Sequence, residues 1–284
     1  MAEQLLERIA CPLCDSPKGD VWASENGFSA EKCSDCGLVF VNPRPCPKEI
    51  SEANKIGVHR IREGELHTAY QRHPRRVDRY RRIVVEMFAE EIGSSKALRW
   101  LDVGAGYGEF VEAATKALPR GTVISGIDPM ESKVRSAQAR GLDLSSRALS
   151  DVAGPYDVIS LINVFSHVPD FRWFCSELAT KLVPGGILFI QTGNGGDLAH
   201  RRSYPDDLCL PDHLEFAGRL HIERFLSLAR FEIVKVKTRR VDGIIGSCQT
   251  MLRDFGRGRL VVRLPYMSPF RTVFYKAVNR GNPR

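Results

Sequence analysis

The chain reads as a doubly wound α/β protein, a mostly parallel seven-stranded sheet with helices on both faces, preceded by a small cysteine-bearing module. Three observations predict this. From residue 97 onward, short apolar runs of strand length alternate with amphipathic runs of helix length. A glycine-rich turn, Gly104-Ala105-Gly106-Tyr107-Gly108, stands where the first strand gives way to the first helix, and open α/β sheets bind ligands at that edge. Two tight cysteine pairs lie near the N-terminus, whereas Cys46, Cys175, Cys209 and Cys248 are scattered.

The elements follow in order. Residues 1–45 are rich in Cys, Gly and Pro and close on Val41-Asn42-Pro43-Arg44-Pro45, a strong stop. They form the expected module. Residues 46–95 are polar and charged, but Tyr80, Ile83, Val84, Met87 and Phe88 recur at helical intervals. A helical linker or lid is expected there, ending near Ile92-Gly93. Residues 96–284 hold the main domain. Its strands are expected at 97–103, 123–127, 142–145, 156–162, 187–191 and 231–241, with 272–278 as a last, edge strand. Helices are expected at 109–118, 132–140, 171–182 and 220–230, the third closed by Pro184-Gly185-Gly186. From 193 to 219 the chain has no period and holds clustered acids, Tyr204 and His213.

The bulk figures narrow the class. With 284 residues, 43% hydrophobic and 26% charged, the chain can bury a core, which argues against disorder along its length. The N-terminus carries acids and no apolar leader segment, and no run approaches the roughly 20 apolar residues of a membrane span. A soluble cytoplasmic protein is expected. The net charge is +7, much of it between Arg60 and Arg82, which permits an anionic partner and equally suits a solvated helix face.

The segment Leu101-Asp102-Val103-Gly104-Ala105-Gly106-Tyr107-Gly108-Glu109-Phe110 carries most of the functional information. A dinucleotide fingerprint would place a third glycine where Glu109 stands, and a carboxylate there would repel a pyrophosphate. Asp128 closes the second strand, where a carboxylate can accept from both hydroxyls of a ribose.

With an acid two places before the first glycine, this turn resembles the first motif of class I S-adenosylmethionine-dependent methyltransferases. The resemblance extends over residues 97–192, through Tyr156-Asp157-Val158-Ile159, the loop Asn163 to Asp170, and Leu182-Val183-Pro184-Gly185-Gly186. It implies a Rossmann-like sheet with S-adenosylmethionine as cofactor. Asp102 would lie near the cationic methionine moiety, and Gly104 and Gly106 against the ribose and methionine backbone. Ala148 and Leu149 fall at the family's adenine contact, with Ala105, Pro129 and Asn163 completing the pocket.

Cys11-Pro-Leu-Cys14 and Cys33-Ser-Asp-Cys36 have the spacing of a four-thiolate zinc ribbon. With every vertex filled by sulfur, Zn2+ there would be structural.

Methyl transfer to oxygen or carbon needs a base. Asp212-His213 is the first choice, a histidine beside a carboxylate in the loop after the fifth strand. The chain resembles zinc-containing methyltransferases of sugars and related natural products, and within them the deoxysugar C-methyltransferases. Those have a Glu-His pair in this loop and a histidine after the fourth strand. His213 and His167 match the histidines, and Asp212 replaces the glutamate. Leu210 stands where a tyrosine is expected, and their large C-terminal domain has no counterpart, so hydroxyl and carbon acceptors both stand. Tyr204 is a further candidate. The expected acceptor is a sugar-like small molecule. An RNA methyltransferase is the rival, on the zinc module and the arginines between Arg72 and Arg82. A cofactor-binding protein without turnover is the third reading.

Overall fold

The computed structural model describes residues 4–68, 70–241, 248, 251–252, 255–256, 258 and 268–281. Seven strands make the main sheet: β1 (Arg99–Val103), β2 (Val123–Ile127), β3 (Leu144–Ser145), β4 (Tyr156–Ile162), β5 (Leu182–Gly193), β6 (Phe231–Arg240) and β7 (Arg271–Asn279). Their spatial order is β3-β2-β1-β4-β5-β7-β6. The first five run parallel, and β7 is antiparallel to both its neighbours. Strand order reverses between β1 and β4, and the crevice at that switch point positions the site.

Alternation along each strand sorts side chains to two faces. Trp100, Val158, Phe189 and Phe274 pack on one face under α1 (Arg75–Met87), α2 (Glu109–Ala117) and α3 (Glu131–Gln138). Leu101, Val103, Ile159, Leu161, Leu188 and Ile190 pack on the other under α4 (Phe171–Thr180) and α5 (Arg219–Leu228). Both faces of the central strands are therefore apolar, as a covered parallel sheet requires.

Three expectations need correction. The strand at Arg271–Asn279 is interior, and β6 is the edge. The alternating, half-exposed pattern of Phe231–Arg240 suits one covered side, whereas Val273-Phe274-Tyr275 is buried throughout. Pro184-Gly185-Gly186 does not close a helix but bulges within β5. Tyr156 pairs with Leu182, and the next pair joins Val158 to Ile187. Residues 46–95 are not helical throughout. A helix at Pro47–Ile56 is followed by a hairpin, Val58–Ile61 with Gly64–His67, before α1 begins.

The N-terminal residues form their own sheet. Gly19–Glu25 and Phe28–Cys33 pair through Asn26-Gly27, both at positive φ (57° and 86°), the two-residue turn that matches strand twist. Val39–Val41 joins next, and Glu215–Phe216, from the loop after β5, completes the four strands. Leu208, Leu210 and Phe216 from that loop pack into the same core as Phe28, Val39 and Val41.

Lys276 is a cation inside the apolar run of β7, 5% exposed. Its Nζ lies 2.7 Å from Glu91 in the helix Ala89–Gly93, and it also donates to the Met87 carbonyl at 3.3 Å. This pair pins the segment after α1 to the sheet. Glu91→Ala would leave the cation buried without its counter-charge, so urea unfolding should show a loss of about 3 kcal/mol. Unchanged stability would remove that role.

Candidate active site and cysteine cluster

At the end of β1 the chain curls. Gly104 N–H and Ala105 N–H both donate to the Ile127 carbonyl, at 2.8 and 2.9 Å. Gly104 and Gly106 lie at φ 72° and 56°, left-handed conformations costly for other residues. A Cβ on Gly104 would stand 2.4 Å from Val164 Cγ2, so the position also lacks room for one.

Asp102 is 1% exposed. Its Oδ1 accepts from the Ser160 hydroxyl at 2.5 Å, and Ser160 Oγ receives the Trp100 indole N–H at 2.9 Å. Its Oδ2 is buried and has no hydrogen-bond partner. Burial pushes the acid up to about 7, Ser160 opposes this, and the Asp128 charge adds to it. An orphaned acceptor at the cavity floor fits a cationic or N–H-bearing ligand group.

Asp128 does more locally than the sequence implied. Oδ2 accepts Gly106 N–H at 2.7 Å and Oδ1 accepts Met130 N–H at 2.9 Å. Each oxygen keeps one further lone pair for a ligand hydroxyl. Asn163, at φ 58°, uses the left-handed tolerance of asparagine, and its Oδ1 accepts from Gln191 at 3.1 Å.

Asp102, Gly104, Ala105, Gly106, Asp128, Pro129, Ala148, Leu149 and Asn163 all line one cavity of about 1030 Å³, and His167, Asp212 and His213 line it too. That volume is at the upper end for small-molecule sites. Sequence reasoning missed two residues near the turn. The Tyr70 hydroxyl lies 2.3 Å from where a Gly106 Cβ would stand, with the Arg76 guanidinium 4.5 Å from its ring. Glu109, read above as a bar to pyrophosphate, is 2% exposed, accepts His73 N–H at 3.1 Å, and lies 3.9 Å from Arg76. It fastens the start of α1 over the turn.

The histidines are arranged differently from the expectation. Asp212 and His213 are adjacent in sequence, but the Asp212 carboxylate does not orient His213. Its Oδ1 lies 3.2 Å from His167 Nδ1 and 2.9 Å from His59 Nε2, the latter without hydrogen-bond alignment. His167 Nδ1 also meets the Asp212 carbonyl at 3.0 Å. His213 Nδ1 meets the Leu208 carbonyl at 2.8 Å, and its ring centroid is 4.8 Å from that of His167. Both Nδ1 atoms face acceptors, so both donate, and each Nε2 is left with its lone pair. His59, 3% exposed on the hairpin before α1, was invisible in sequence because strand pairing alone brings it there.

The charges divide accordingly. Burial lowers the basicity of His167, but the hydrogen bonds and charge of Asp212 more than reverse this and raise its pKa above 6.5. Burial favours the neutral acid at Asp212, yet His167 and His59 hold it well below the usual carboxylate range. Burial and the His167 charge pull His213 down to about 4. Asp212 thus favours the protonated form of His167, whereas His213 stays neutral near pH 7. Tyr204 lies elsewhere, edge-on to Phe216 and Phe270.

The four paired cysteines converge at the Cys33 end of the strand Phe28–Cys33. Sγ atoms of Cys11 and Cys36 are 3.5 Å apart, those of Cys14 and Cys33 are 3.6 Å apart, and all four lie within 4.8 Å of one another. Tetrahedral sulfur ligands at 2.3 Å from a zinc ion would be separated by about 3.8 Å, so the donor set fits such an ion. The Cys36 carbonyl accepts from His221 Nε2 at 2.8 Å, and His221 Nδ1 accepts Gly218 N–H, which joins the cluster to the start of α5.

A model of the Methyltransferase domain family matches residues 70–236, more than half of the chain. The ubiquinone biosynthesis O-methyltransferase of Bordetella avium is 32% identical over 120 residues, 39% of this chain and 48% of that protein. The enzyme of the same name from Rhizobium leguminosarum bv. trifolii is 28% identical over 143 residues, 46% of this chain and 56% of that one. The chain thus spans about half the length of the curated relatives it matches. The cyclopropane synthase MmaA2 from Mycobacterium tuberculosis superposes with a TM-score of 0.50 at 12% identity, over 69% of this chain and 83% of that one. The [4+2]-cyclase SpnF does so with a TM-score of 0.50 at 17% identity, over 71% and 82%. At such identities the likeness speaks for the fold alone. The chain belongs to the Methyltransferase domain family and carries the Rossmann-like, class I sheet expected from its glycine turn.

Proposed function

We propose that the protein transfers a methyl group from S-adenosylmethionine to a hydroxyl of a small molecule. The observation that carries this is the single cavity that joins the Asp102–Gly106 turn to the His167–Asp212–His213 cluster. A concave cavity of about 1030 Å³ suits a small acceptor, and the O-methyltransferase names of the relatives support oxygen as the acceptor atom. A sugar-like hydroxyl remains the candidate that the natural-product resemblance suggests.

S-adenosylmethionine bound at the turn supplies a methyl on a cationic sulfur. Gly104 and Gly106 give the close backbone approach, and Asp128 offers its two free lone pairs to the ribose hydroxyls. Asp102 would face the cationic methionine end, Pro129, Ala148 and Leu149 would bound the adenine side, and Ala105 and Asn163 would complete the floor. His167 replaces His213 as the base, because Asp212 orients it and raises its basicity into the range where a base works at neutral pH. A hydroxyl that is methylated must lose its proton, and His167 Nε2 would take it while Asp212 would stabilise the imidazolium. Neutral His213 holds the acceptor hydroxyl through its Nε2 lone pair. Cys11, Cys14, Cys33 and Cys36 hold a structural zinc ion that clamps the N-terminal module.

Four outcomes are expected. His167→Asn should keep cofactor affinity and lower turnover by about 10²–10⁴, the worth of a positioned base. Wild-type turnover should fall as pH drops through a midpoint above 6.5, because the base must be deprotonated. A flat pH–rate profile would discard the base.

Asp102→Asn should weaken cofactor binding in calorimetry while stabilising the ligand-free protein. The folded acidity near 7 exceeds the unfolded carboxylate's value of about 3.9, so the stability this group contributes is present at low pH and lost as pH rises through about 7. The gain in thermal midpoint should therefore grow from about pH 4 and level off above about pH 7. Equal affinity in the two proteins would remove Asp102 from the cofactor site.

Reduced, purified protein should carry about one zinc ion per chain by elemental analysis. Folded protein free of metal would refute the clamp.

A further inference from the structure

We infer that the tip of the N-terminal hairpin, Glu25-Asn26-Gly27, positions the loop that carries Asp212 and His213, with Glu25 as the principal positioning residue. This rests on the role proposed above for that loop.

The Glu25 carboxylate receives Leu208 N–H at 2.8 Å on Oε2 and Cys209 N–H at 2.6 Å on Oε1. The Arg201 guanidinium lies 3.3 Å from Oε2 and balances its charge. Asn26 Nδ2 donates to the Leu210 carbonyl at 2.8 Å. Three consecutive loop residues are thus held by side chains of one distant turn. Its backbone reaches the other flank, since the Asn26 carbonyl accepts Arg62 N–H at 3.2 Å, on the hairpin that bears His59.

From these bonds the chain leads directly to the reacting groups. The Leu208 carbonyl accepts His213 Nδ1–H at 2.8 Å. The Cys209 carbonyl accepts Asp212 N–H at 2.8 Å and His213 N–H at 3.3 Å. Cys209 itself sits at φ 57°, a conformation that needs outside support in a residue other than glycine. Two N–H groups donating to a carboxylate are among the stronger supports available. Leu208 and Leu210, each 0% exposed, complete the anchor inside the hairpin's own core.

The hairpin has two working ends. One strand finishes on Cys33 in the cysteine cluster, and the opposite end grips the catalytic loop. The module thereby acts on the proposed catalysis through placement of that loop.

The test is Glu25→Gln and Asn26→Asp in the full-length chain. Glu25→Gln keeps the size but turns one acceptor into a donor facing an amide N–H. Asn26→Asp tolerates the left-handed turn but loses the donor to Leu210. Cofactor affinity and zinc content should be unchanged. Turnover should fall about tenfold or more at constant cofactor KM, the equivalent of one charged hydrogen bond. The NMR titration of the His213 Cε1–H should move up from about 4 toward the ordinary imidazole value as water reaches a loosened loop. Both variants keeping wild-type turnover and wild-type histidine titrations would overturn the inference. If the wild type methylates no acceptor, the proposed function falls, while the histidine titrations still decide this point. If Glu25→Gln does not fold, Asn26→Asp carries the same readouts.

Discussion

Two amide hydrogens converge on the carbonyl of Ile127, and the floor of the cavity depends on that fork. It ties the end of β1 to the end of β2 and forces the chain through left-handed conformations at Gly104 and Gly106. Asp128 completes the knot by taking Gly106 N–H and Met130 N–H on separate oxygens. The curl leaves Asp102 facing inward with one oxygen unmatched. A protein selected for stability alone would not bury such an acid, and local rules tend to be broken where function resides. The cost falls on the ligand-free state.

The same economy governs the histidines. Burial disfavours every charge there, so two imidazoles cannot both be protonated cheaply. Asp212 resolves the conflict by supporting one of them. The carboxylate raises the basicity of His167, and burial with a charged neighbour lowers that of His213. The division separates a more basic imidazole from a less basic one. It follows from where a single carboxylate points, and the chain order Asp212-His213 does not reveal that direction.

The N-terminal module and the main domain share elements. Glu215–Phe216 is a strand of the module's sheet although it follows β5, and Leu208 and Leu210 belong to the module's core. His221 ties the cysteine cluster to α5, and Arg172 in α4 donates to the Leu13 carbonyl at 2.7 Å. Rigidity at the cysteine cluster can thus be transmitted to a loop that lacks a strand or helix of its own around the reacting groups. This gives a physical reason for the cysteine-bearing module and the main sheet to stand in one chain.

Much was legible in the sequence because it is written in short range. The glycine turn, the acids at the ends of β1 and β2, and the Cys-x-x-Cys knuckles lie within a few residues of one another, where backbone geometry leaves little freedom. The alternation of strands and helices from residue 97 follows from side-chain period alone. Tertiary structure decided what depends on long-range pairing. It put β7 inside the sheet and left β6 at the edge, brought His59 to Asp212, turned that carboxylate toward His167, and set Glu25 under Leu208 and Cys209. Those contacts join residues some 45 to 184 positions apart, and only closure of the whole chain around its core fixes which of them meet.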